Sequence, residues 1–262
     1  MRCARRSPAV CEPSSIVHRL DVRPLALTVL AAAVLAACGG ARAGHGAAEP
    51  TDLYVKAFRQ LHPSVVLFTM KIPSDDPKRK GEWDEAYGSG IVVDSGSWGS
   101  RILTDAHVIV DAKDLVATIG DGPRAPGRVV ATTGEAEDLA IVDVPLKNQK
   151  AAKLGSIEHV EPGTAIGVLG YPIPDAFQDE RLGTTVSLYT GHVASIRKGA
   201  LEIDVAIIPG ESGGPVFDAV TGEVIGIAES RFEEERAIGF ATPIDLATRF
   251  LASHPRTQAA RR

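Results

Sequence analysis

The chain of 262 residues is long enough to bury a substantial core in one or two domains. Of its 28 Lys and Arg residues and 33 Asp and Glu residues, five and two respectively precede Cys38, so the rest of the chain carries a net charge of −8. This acidic balance argues against a nucleic-acid-binding surface. The seven histidines are scattered without ligand spacing, so we expect no metal site and no cofactor.

Residues 1–37 have the pattern of a secretory signal. Pro24–Ala37 is an apolar run too short to span a bilayer comfortably, and several arginines precede it. The run ends in Leu35-Ala36-Ala37-Cys38, which resembles the lipobox of bacterial lipoproteins, in which the cysteine is lipidated and becomes the first mature residue. The resemblance implies a lipid anchor at Cys38 in the bacterial envelope, facing the periplasm, and Gly39 favours the outer membrane.

Two alternatives for the N-terminus stay open. Ala41-Arg42-Ala43 is an ordinary small-residue cleavage site that would release a soluble protein, and a misassigned start codon would explain the long leader. The three cysteines, Cys3, Cys11 and Cys38, lie in the leader or at its edge, so the rest of the chain is expected to fold without disulfides.

After the leader, residues 38–50 form a small, polar segment that we interpret as a flexible tether. A helix is predicted next, capped by Thr51 or Asp52 and ended by His62-Pro63. Its apolar residues Leu53, Ala57 and Leu61 fall on one face, which predicts packing against the domain that follows.

Short apolar runs separated by Gly, Pro, Asp and Ser then dominate, and with the aromatic content of 5% they favour an all-β sandwich or barrel. Six runs precede a polar connection, Lys147–Leu154, and seven follow it. The first set is Val65–Ile72, Gly90–Val93, Arg101–Leu103, Leu115–Ile119, Arg128–Thr132 and Leu139–Val144. The second set is Ala165–Leu169, Thr184–Leu188, His192–Ile196, Leu201–Val205, Val216–Phe217, Val224–Ala228 and Ile238–Ala241.

Other segments carry local signals. The charged stretch Pro73–Tyr87 is interpreted as a solvated hairpin tip, and the alternation in Leu201–Val205 predicts three buried aliphatic residues and two exposed acids. Thr242 is predicted to cap a last helix with Pro243 at its first position, and that helix ends near His254-Pro255. We expect residues 254–262 to be a disordered tail.

Three residues point to nucleophilic catalysis. Ser212 lies in Pro209-Gly210-Glu211-Ser212-Gly213-Gly214-Pro215, where glycines allow a tight turn around an exposed hydroxyl. A serine needs a base and a group that orients the base, and His107 and Asp138 are placed before it, each beside an apolar run. The chain order His, Asp, Ser is that of the chymotrypsin-type arrangement.

Four blocks together resemble the HtrA/Deg-type trypsin-like serine proteases: Thr104–Val108, Asp138–Ala140, Pro209–Pro215 and Ile238–Pro243. The resemblance covers about residues 51–253. It implies an all-β fold of two antiparallel six-stranded β-barrels, about 64–146 and 160–243, with short N- and C-terminal helices. The chain is too short after this region for a PDZ domain, so we expect a protease domain alone.

The resemblance also implies the roles of the site residues. Ser212 is the nucleophile, His107 the general base and Asp138 the residue that orients it, while the backbone N–H groups of Gly210 and Ser212 form the oxyanion hole. The substrate pocket is lined by Ala206, Ala228, Glu229 and Ser230. Ala206 lacks the carboxylate that would select Arg or Lys, and Ile227 argues against acidic selection, so a small or medium aliphatic residue is expected before the scissile bond.

Two departures from the family pattern lie beside the nucleophile. HtrA-like sequences usually have asparagine where this chain has Ile208 and Glu211. Glu211 therefore needs a cation, a hydrogen-bond network or solvent, and the sequence does not identify which.

The leading interpretation is a lipid-anchored serine endopeptidase that cleaves envelope or misfolded proteins. The alternative is a catalytically silent or conditionally activated binding module at the membrane, and an esterase has little support. The charged stretch Pro73–Tyr87 has a second interpretation, in which it shapes substrate access. The sequence leaves the natural substrate and the oligomeric state open.

Overall fold

The computed structural model describes residues 50–229 and 238–256. The predicted signal peptide, the tether with Cys38, the pocket residue Ser230 and most of the C-terminal tail lie outside the described residues. Predictions about them therefore stay predictions. None of the described helices is both long enough and apolar enough to cross a membrane.

The described chain is mostly β, with four short α-helices. The helices are α1 Pro50–Leu61, α2 Ala106–Ile109, α3 Pro174–Asp179 and α4 Ile244–Ser253. The strands of the first sheet are β1 Val65–Pro73, β2 Trp83–Gly96, β3 Gly99–Asp105, β4 Lys113–Ile119, β5 Arg124–Pro126, β6 Arg128–Thr132 and β7 Leu139–Val144. Those of the second are β8 Ala165–Gly170, β9 Ser187–Arg197, β10 Ala200–Ile203, β11 Pro215–Asp218, β12 Val224–Glu229 and β13 Gly239–Pro243.

The first sheet has the strand order β5-β4-β1-β2-β3-β7-β6, and every pairing within it is antiparallel. Its two edge strands, β5 and β6, are separated in the chain by Gly127 alone, so the sheet must curl until its edges meet. An added Cβ at Gly127 would lie 2.9 Å from Val142 Cγ1, which explains why a glycine occupies this bend. The first of the two expected barrels is thus a seven-stranded sheet, which has six strands when β5 and β6 are counted as one bent strand.

The second sheet is a closed six-stranded barrel in the order β10-β13-β12-β11-β8-β9. The alternation predicted in β10 and just after it is confirmed for the three aliphatic residues, since Leu201, Ile203 and Val205 are buried. Of the two acids, Asp204 is exposed as predicted, whereas Glu202 is half-buried. The all-β fold with two antiparallel sheets and short terminal helices is therefore confirmed.

The core has three parts. One apolar cluster fills the first sheet, around Phe68 and Ile102, and another fills the second barrel, around Ile166 and Leu201. A third cluster joins residues of both sheets, among them Leu103, Leu139, Leu169 and Phe217. This shared cluster also includes Leu61 of α1, which confirms that the helix packs on the domain, and it holds the two sheets in a constant relative position.

Two predicted elements have different bounds in the structure. The segment interpreted as a hairpin tip is shorter than expected, because Trp83–Tyr87 belongs to β2 and pairs with β1 as far as Pro73 opposite Trp83. The runs predicted at Thr184–Leu188 and His192–Ile196 merge into one continuous strand, β9, which begins only at Ser187. In both cases backbone pairing with a neighbouring strand extends the element through polar residues that the local pattern assigns to loops.

The predicted helix cap at Thr242 is wrong. Helix α4 begins after Pro243 and has no side-chain cap. The Thr242 hydroxyl lies within hydrogen-bond distance of Glu229 Oε2, at 3.2 Å, and of the Glu137 carbonyl oxygen, at 3.3 Å. The acid in the first turn, Asp245, accepts a bond from the Ile157 N–H at 3.0 Å and so ties the helix to the connection between the sheets.

Candidate active site

His107 and Asp138 are brought together by the pairing of β3 with β7. Asp105, the last residue of β3, lies opposite Leu139, the first residue of β7. Helix α2 begins directly after β3 and carries His107, while Asp138 directly precedes β7. The Ala106 N–H donates to the Asp138 carbonyl oxygen at 2.9 Å, which fixes the two segments side by side.

The Asp138 carboxylate binds His107 with both oxygens. Oδ1 accepts a hydrogen bond from the His107 backbone N–H at 2.8 Å, and Oδ2 pairs with the ring Nδ1. Asp138 is 8% exposed and adopts a left-handed backbone conformation with φ of 47°, which aspartate tolerates better than most residues. Because Nδ1 faces the carboxylate, the second ring nitrogen, Nε2, is the one left for proton transfer.

The loop that carries Ser212 fits against both sheets only because of its glycines. Gly213 has a φ of +86°, and an added Cβ there would lie 2.1 Å from Thr104 Oγ1 and 3.1 Å from the Asp105 nitrogen. At Gly214 an added Cβ would lie 2.3 Å from the Leu169 carbonyl oxygen. The turn around Ser212 is thus seated directly on the strand that leads to His107.

Within the described residues the Ser212 hydroxyl makes no hydrogen bond, and the hydrogen bonds of His107 all go to Asp138. The pair of base and orienting residue is therefore assembled, whereas the bond between nucleophile and base is not formed. Such bonds are often long in unliganded active sites and shorten when substrate binds.

Two backbone N–H groups in the Ser212 loop have no acceptor within the described part of the chain. Among the described residues, neither the Gly210 nor the Ser212 N–H has a hydrogen-bond acceptor. Gly210 has a φ of +96°, and an added Cβ would lie 2.3 Å from the Tyr171 carbonyl oxygen, so only glycine fits. Donors that are held in place without a partner are the arrangement that stabilises a developing negative charge on an oxygen.

Ser89 is a residue of the site that the sequence analysis missed. Its hydroxyl donates to the Gly210 carbonyl oxygen at 2.7 Å and accepts from the Tyr171 N–H at 3.0 Å. Its backbone N–H donates to the Ser212 carbonyl oxygen at 2.8 Å. Ser89 is fully buried on β2 and links the Ser212 loop to the first sheet. The one available signal was the pair of glycines around it, Gly88 and Gly90.

Three of the four predicted pocket residues lie in the described part of the chain. Ala228 is fully buried and its backbone binds Gly213 and Gly214, while Ala206 is half-buried and carries no charge. Glu229 is only 6% exposed, and its Oε2 accepts a hydrogen bond from the Thr242 hydroxyl. The cause is its position in β12, whose residues are all buried.

One group of side chains has the composition of a metal site. Single ligand atoms of Asp105, His107 and Asp138 lie within 4.8 Å of one another. This spacing follows from the pairing of β3 with β7, and two of the three residues are already bonded to each other. The sequence predicts no metal, and that stays a prediction.

Comparison with known proteins assigns the class. Residues 88–227 match the family of the trypsin-like peptidase domain. These residues include His107, Asp138 and Ser212, and they make up more than half of the chain. The chain belongs to the trypsin-like peptidase domain family.

Individual relatives narrow this class. The chain is 34% identical over 174 residues to the putative serine protease HhoA of Synechocystis sp., covering 61% of this chain and 41% of the relative. It is 30% identical over 188 residues to a probable periplasmic serine endoprotease DegP-like of Pseudomonas putida, covering 67% and 35% respectively. The chain thus spans about two fifths of the length of the curated relatives that it matches.

Solved structures of serine proteases are also similar to this chain. The HtrA-type protease AlgW with tripeptide superposes with a TM-score of 0.62 at 26% identity, covering 76% of this chain and 62% of that one. The serine endoprotease from Yersinia pestis gives a TM-score of 0.59 at 27% identity, covering 76% and 65%. The chain is similar to HtrA-type serine proteases in both sequence and fold.

Proposed function

We propose that this protein is a serine endopeptidase in which Ser212 is the nucleophile, His107 the general acid and base, and Asp138 the residue that orients His107. The observation that carries the proposal is the double contact of the Asp138 carboxylate with the backbone N–H and Nδ1 of His107. This contact orients the imidazole ring so that Nε2 is available for proton transfer. The glycine turn places Ser212 beside β3, the strand that leads to His107.

In the proposed reaction, Nε2 of His107 accepts the hydroxyl proton as Ser212 Oγ attacks the peptide carbonyl carbon. The imidazolium that forms is stabilised by Asp138, and the same proton is then delivered to the leaving amine. Water enters, His107 removes its proton, and hydrolysis of the acyl-enzyme restores the serine. The N–H groups of Gly210 and Ser212 bind the oxyanion, and one donor of this kind contributes about 3 kcal/mol to transition-state stabilisation.

The proposed substrates are proteins and peptides with a small or medium aliphatic residue before the scissile bond. Ala206 and Ala228 present no charge to such a side chain. Profiling with a peptide library tests this preference, and dominant cleavage after basic or acidic residues contradicts it.

The proposed place of action is the periplasmic side of the bacterial envelope. Support comes from Leu35-Ala36-Ala37-Cys38 and from the similarity to the probable periplasmic serine endoprotease of Pseudomonas putida. Lipidation of Cys38 predicts that Cys38→Ala moves the protein from the membrane fraction to the soluble fraction. An unchanged distribution rejects the anchor.

The central experiment is labelling of residues 39–262 with a fluorophosphonate probe, beside cleavage of a denatured protein substrate. The wild type should be labelled and cleave, and Ser212→Ala should lose both because the acyl acceptor is gone. The matched control is Ser187→Ala, which removes a serine hydroxyl at the start of β9 and should leave labelling intact. A folded wild type that is never labelled rejects the protease and favours the binding module.

A further inference from the structure

Glu211 closes the turn 208–211, which holds the Gly210 N–H and directly precedes the Ser212 N–H. The Glu211 N–H donates to the Ile208 carbonyl oxygen at 2.9 Å, and in return the Ile208 N–H donates to Glu211 Oε2 at 2.8 Å. Gly210 lies inside this doubly closed turn. The Gly210 carbonyl oxygen is held by Ser89, and the Gly210 N–H shares a peptide plane with the Pro209 carbonyl, which accepts from the Ile173 N–H at 2.8 Å. The orientation of the Gly210 N–H therefore depends on the turn keeping its shape between these two contacts.

The Glu211 side chain is placed where a charge is poorly tolerated. The residue is fully buried, and its second oxygen, Oε1, has no hydrogen-bond partner among the described residues. No Lys, Arg or His in the described part of the chain forms an ion pair with it. A buried carboxylate with a single hydrogen bond is costly, whereas the neutral acid is tolerated.

The groups around Glu211 do not compensate for its charge. Gly170 at the end of β8 packs on its backbone, where an added Cβ would lie 3.0 Å from Glu211 Cα. On β9, the titratable residue that interacts with Glu211 is Tyr189. Its pKa is raised, first by burial and then by the charge of Glu211. For Glu211 itself burial raises the pKa to about 7, and the bond from the Ile208 N–H offsets only part of this effect.

We propose that Glu211 is the positioning residue of the oxyanion hole, and that its neutral carboxyl keeps the turn 208–211 closed while its ionised carboxylate favours opening. This inference rests on the proposed protease function and adds a pH-dependent regulation of that activity. Glu211, which stands where HtrA-like sequences usually have asparagine, is thus a proton-sensitive residue of the active site.

The direction of the pH effect follows from linkage. In an open turn Glu211 reaches solvent and titrates at its ordinary, lower value, so between that value and about 7 the closed form holds more protons than the open form. The ratio of closed to open turns is therefore highest in acid, falls by up to about tenfold per pH unit across this window, and is constant above it.

Two variants separate the hydrogen bond from the charge. Glu211→Gln keeps an oxygen that can accept from the Ile208 N–H and removes the titration, whereas Glu211→Met fills a similar volume and offers no acceptor. We expect the ratio of kcat for Gln to kcat for wild type to rise at least fivefold from pH 5 to pH 8, because titrations shared by both proteins cancel in the ratio. We expect Met to lose at least tenfold in kcat at every pH, with KM within threefold.

The control is Asp218→Asn, which neutralises a buried acid that accepts bonds from Val220 and Thr221 in a turn after β11. Its pH profile should parallel that of the wild type. A constant ratio of Gln to wild type overturns the charge effect, and equal activity of Met and Gln overturns the positioning role.

Chemical denaturation gives a readout that does not depend on catalysis. The midpoint of Glu211→Gln should move above that of the wild type as pH rises from 5 to 7, and a pH-independent difference overturns the proposal. A wild type that is inactive at every pH but shows this shift contradicts the protease function and leaves the role of Glu211 supported.

Discussion

The two sides of the proposed catalytic centre are built in different ways. On the side of the base, Asp138 and His107 lie at the ends of two neighbouring strands, and the register of β3 with β7 is enough to bring them together. On the side of the nucleophile, the loop 208–214 lies outside any strand and is held by contacts with Ser89, Thr104 and Tyr171, which are far away in the chain.

This difference shows which half of the site depends on the whole fold. The pair of His107 and Asp138 needs only one correctly formed sheet, and both of its hydrogen bonds are formed. The nucleophile loop needs both sheets in the right relative position, because its shape comes from close backbone approach at Gly210 and Gly213. Changes on the first side should affect the chemistry, and changes on the second should affect the chemistry and the fold together.

The largest effect is expected from Asp138→Asn, which alters the base side alone. Asparagine tolerates the left-handed conformation and keeps an oxygen for the His107 N–H, so the fold should be retained. The amide group can no longer accept a hydrogen bond from the Nδ1–H of His107, nor stabilise the imidazolium with a negative charge. We therefore expect kcat/KM to fall by about 10⁴-fold. Peptide hydrolysis and circular-dichroism melting measure the two quantities, and a loss below tenfold would mean that Asp138 does not orient His107.

A smaller loss of activity, coupled to a loss of stability, is expected from Gly213→Ala on the nucleophile side. The new methyl group overlaps Thr104 Oγ1 and the Ser89 carbonyl oxygen, and the positive φ adds backbone strain, so unfolding free energy should fall by about 3 kcal/mol. Activity should fall at least a hundredfold because the turn around Ser212 must move.

The matched control is Gly163→Ala. Gly163 has a φ of +94° and no atom within 4 Å of an added Cβ, so it carries the same backbone strain without the overlap. It should lose about 1 kcal/mol and keep its activity. Similar losses in both variants would show that strain alone, and not the fit against the first sheet, makes Gly213 sensitive.

The smallest effect is expected from Ser89→Ala, which loosens the link between the two sides. The Gly210 carbonyl and the Tyr171 N–H each lose a buried partner, which should lower the unfolding free energy by about 2 kcal/mol. Since the turn that carries the Gly210 and Ser212 N–H groups is then less firmly held, kcat should fall about tenfold to a hundredfold with little change in KM.

Ser100→Ala provides the comparison for Ser89. Ser100 is also fully buried, and its hydroxyl bonds to Ser95 and to the Leu146 carbonyl oxygen at the opposite end of β3 from His107. It should lose similar stability without a selective loss of kcat. If both variants retain full kcat, Ser89 contributes only to the fold.

The sequence by itself determined the all-β class and the family, and it supplied His107, Asp138 and Ser212, in that order, as the proposed triad. These features depend on local patterns: alternation along a strand, glycines around a serine, and an acid or histidine at the end of an apolar run. The tertiary structure decided that Ser89 holds Gly210 from 121 residues away, that Thr242 binds Glu229 and caps no helix, and that Glu211 is buried with no Lys, Arg or His of the described residues paired to it. Those outcomes depend on which distant groups come within hydrogen-bond reach, and strand pairing within a sheet together with packing between the sheets sets those distances.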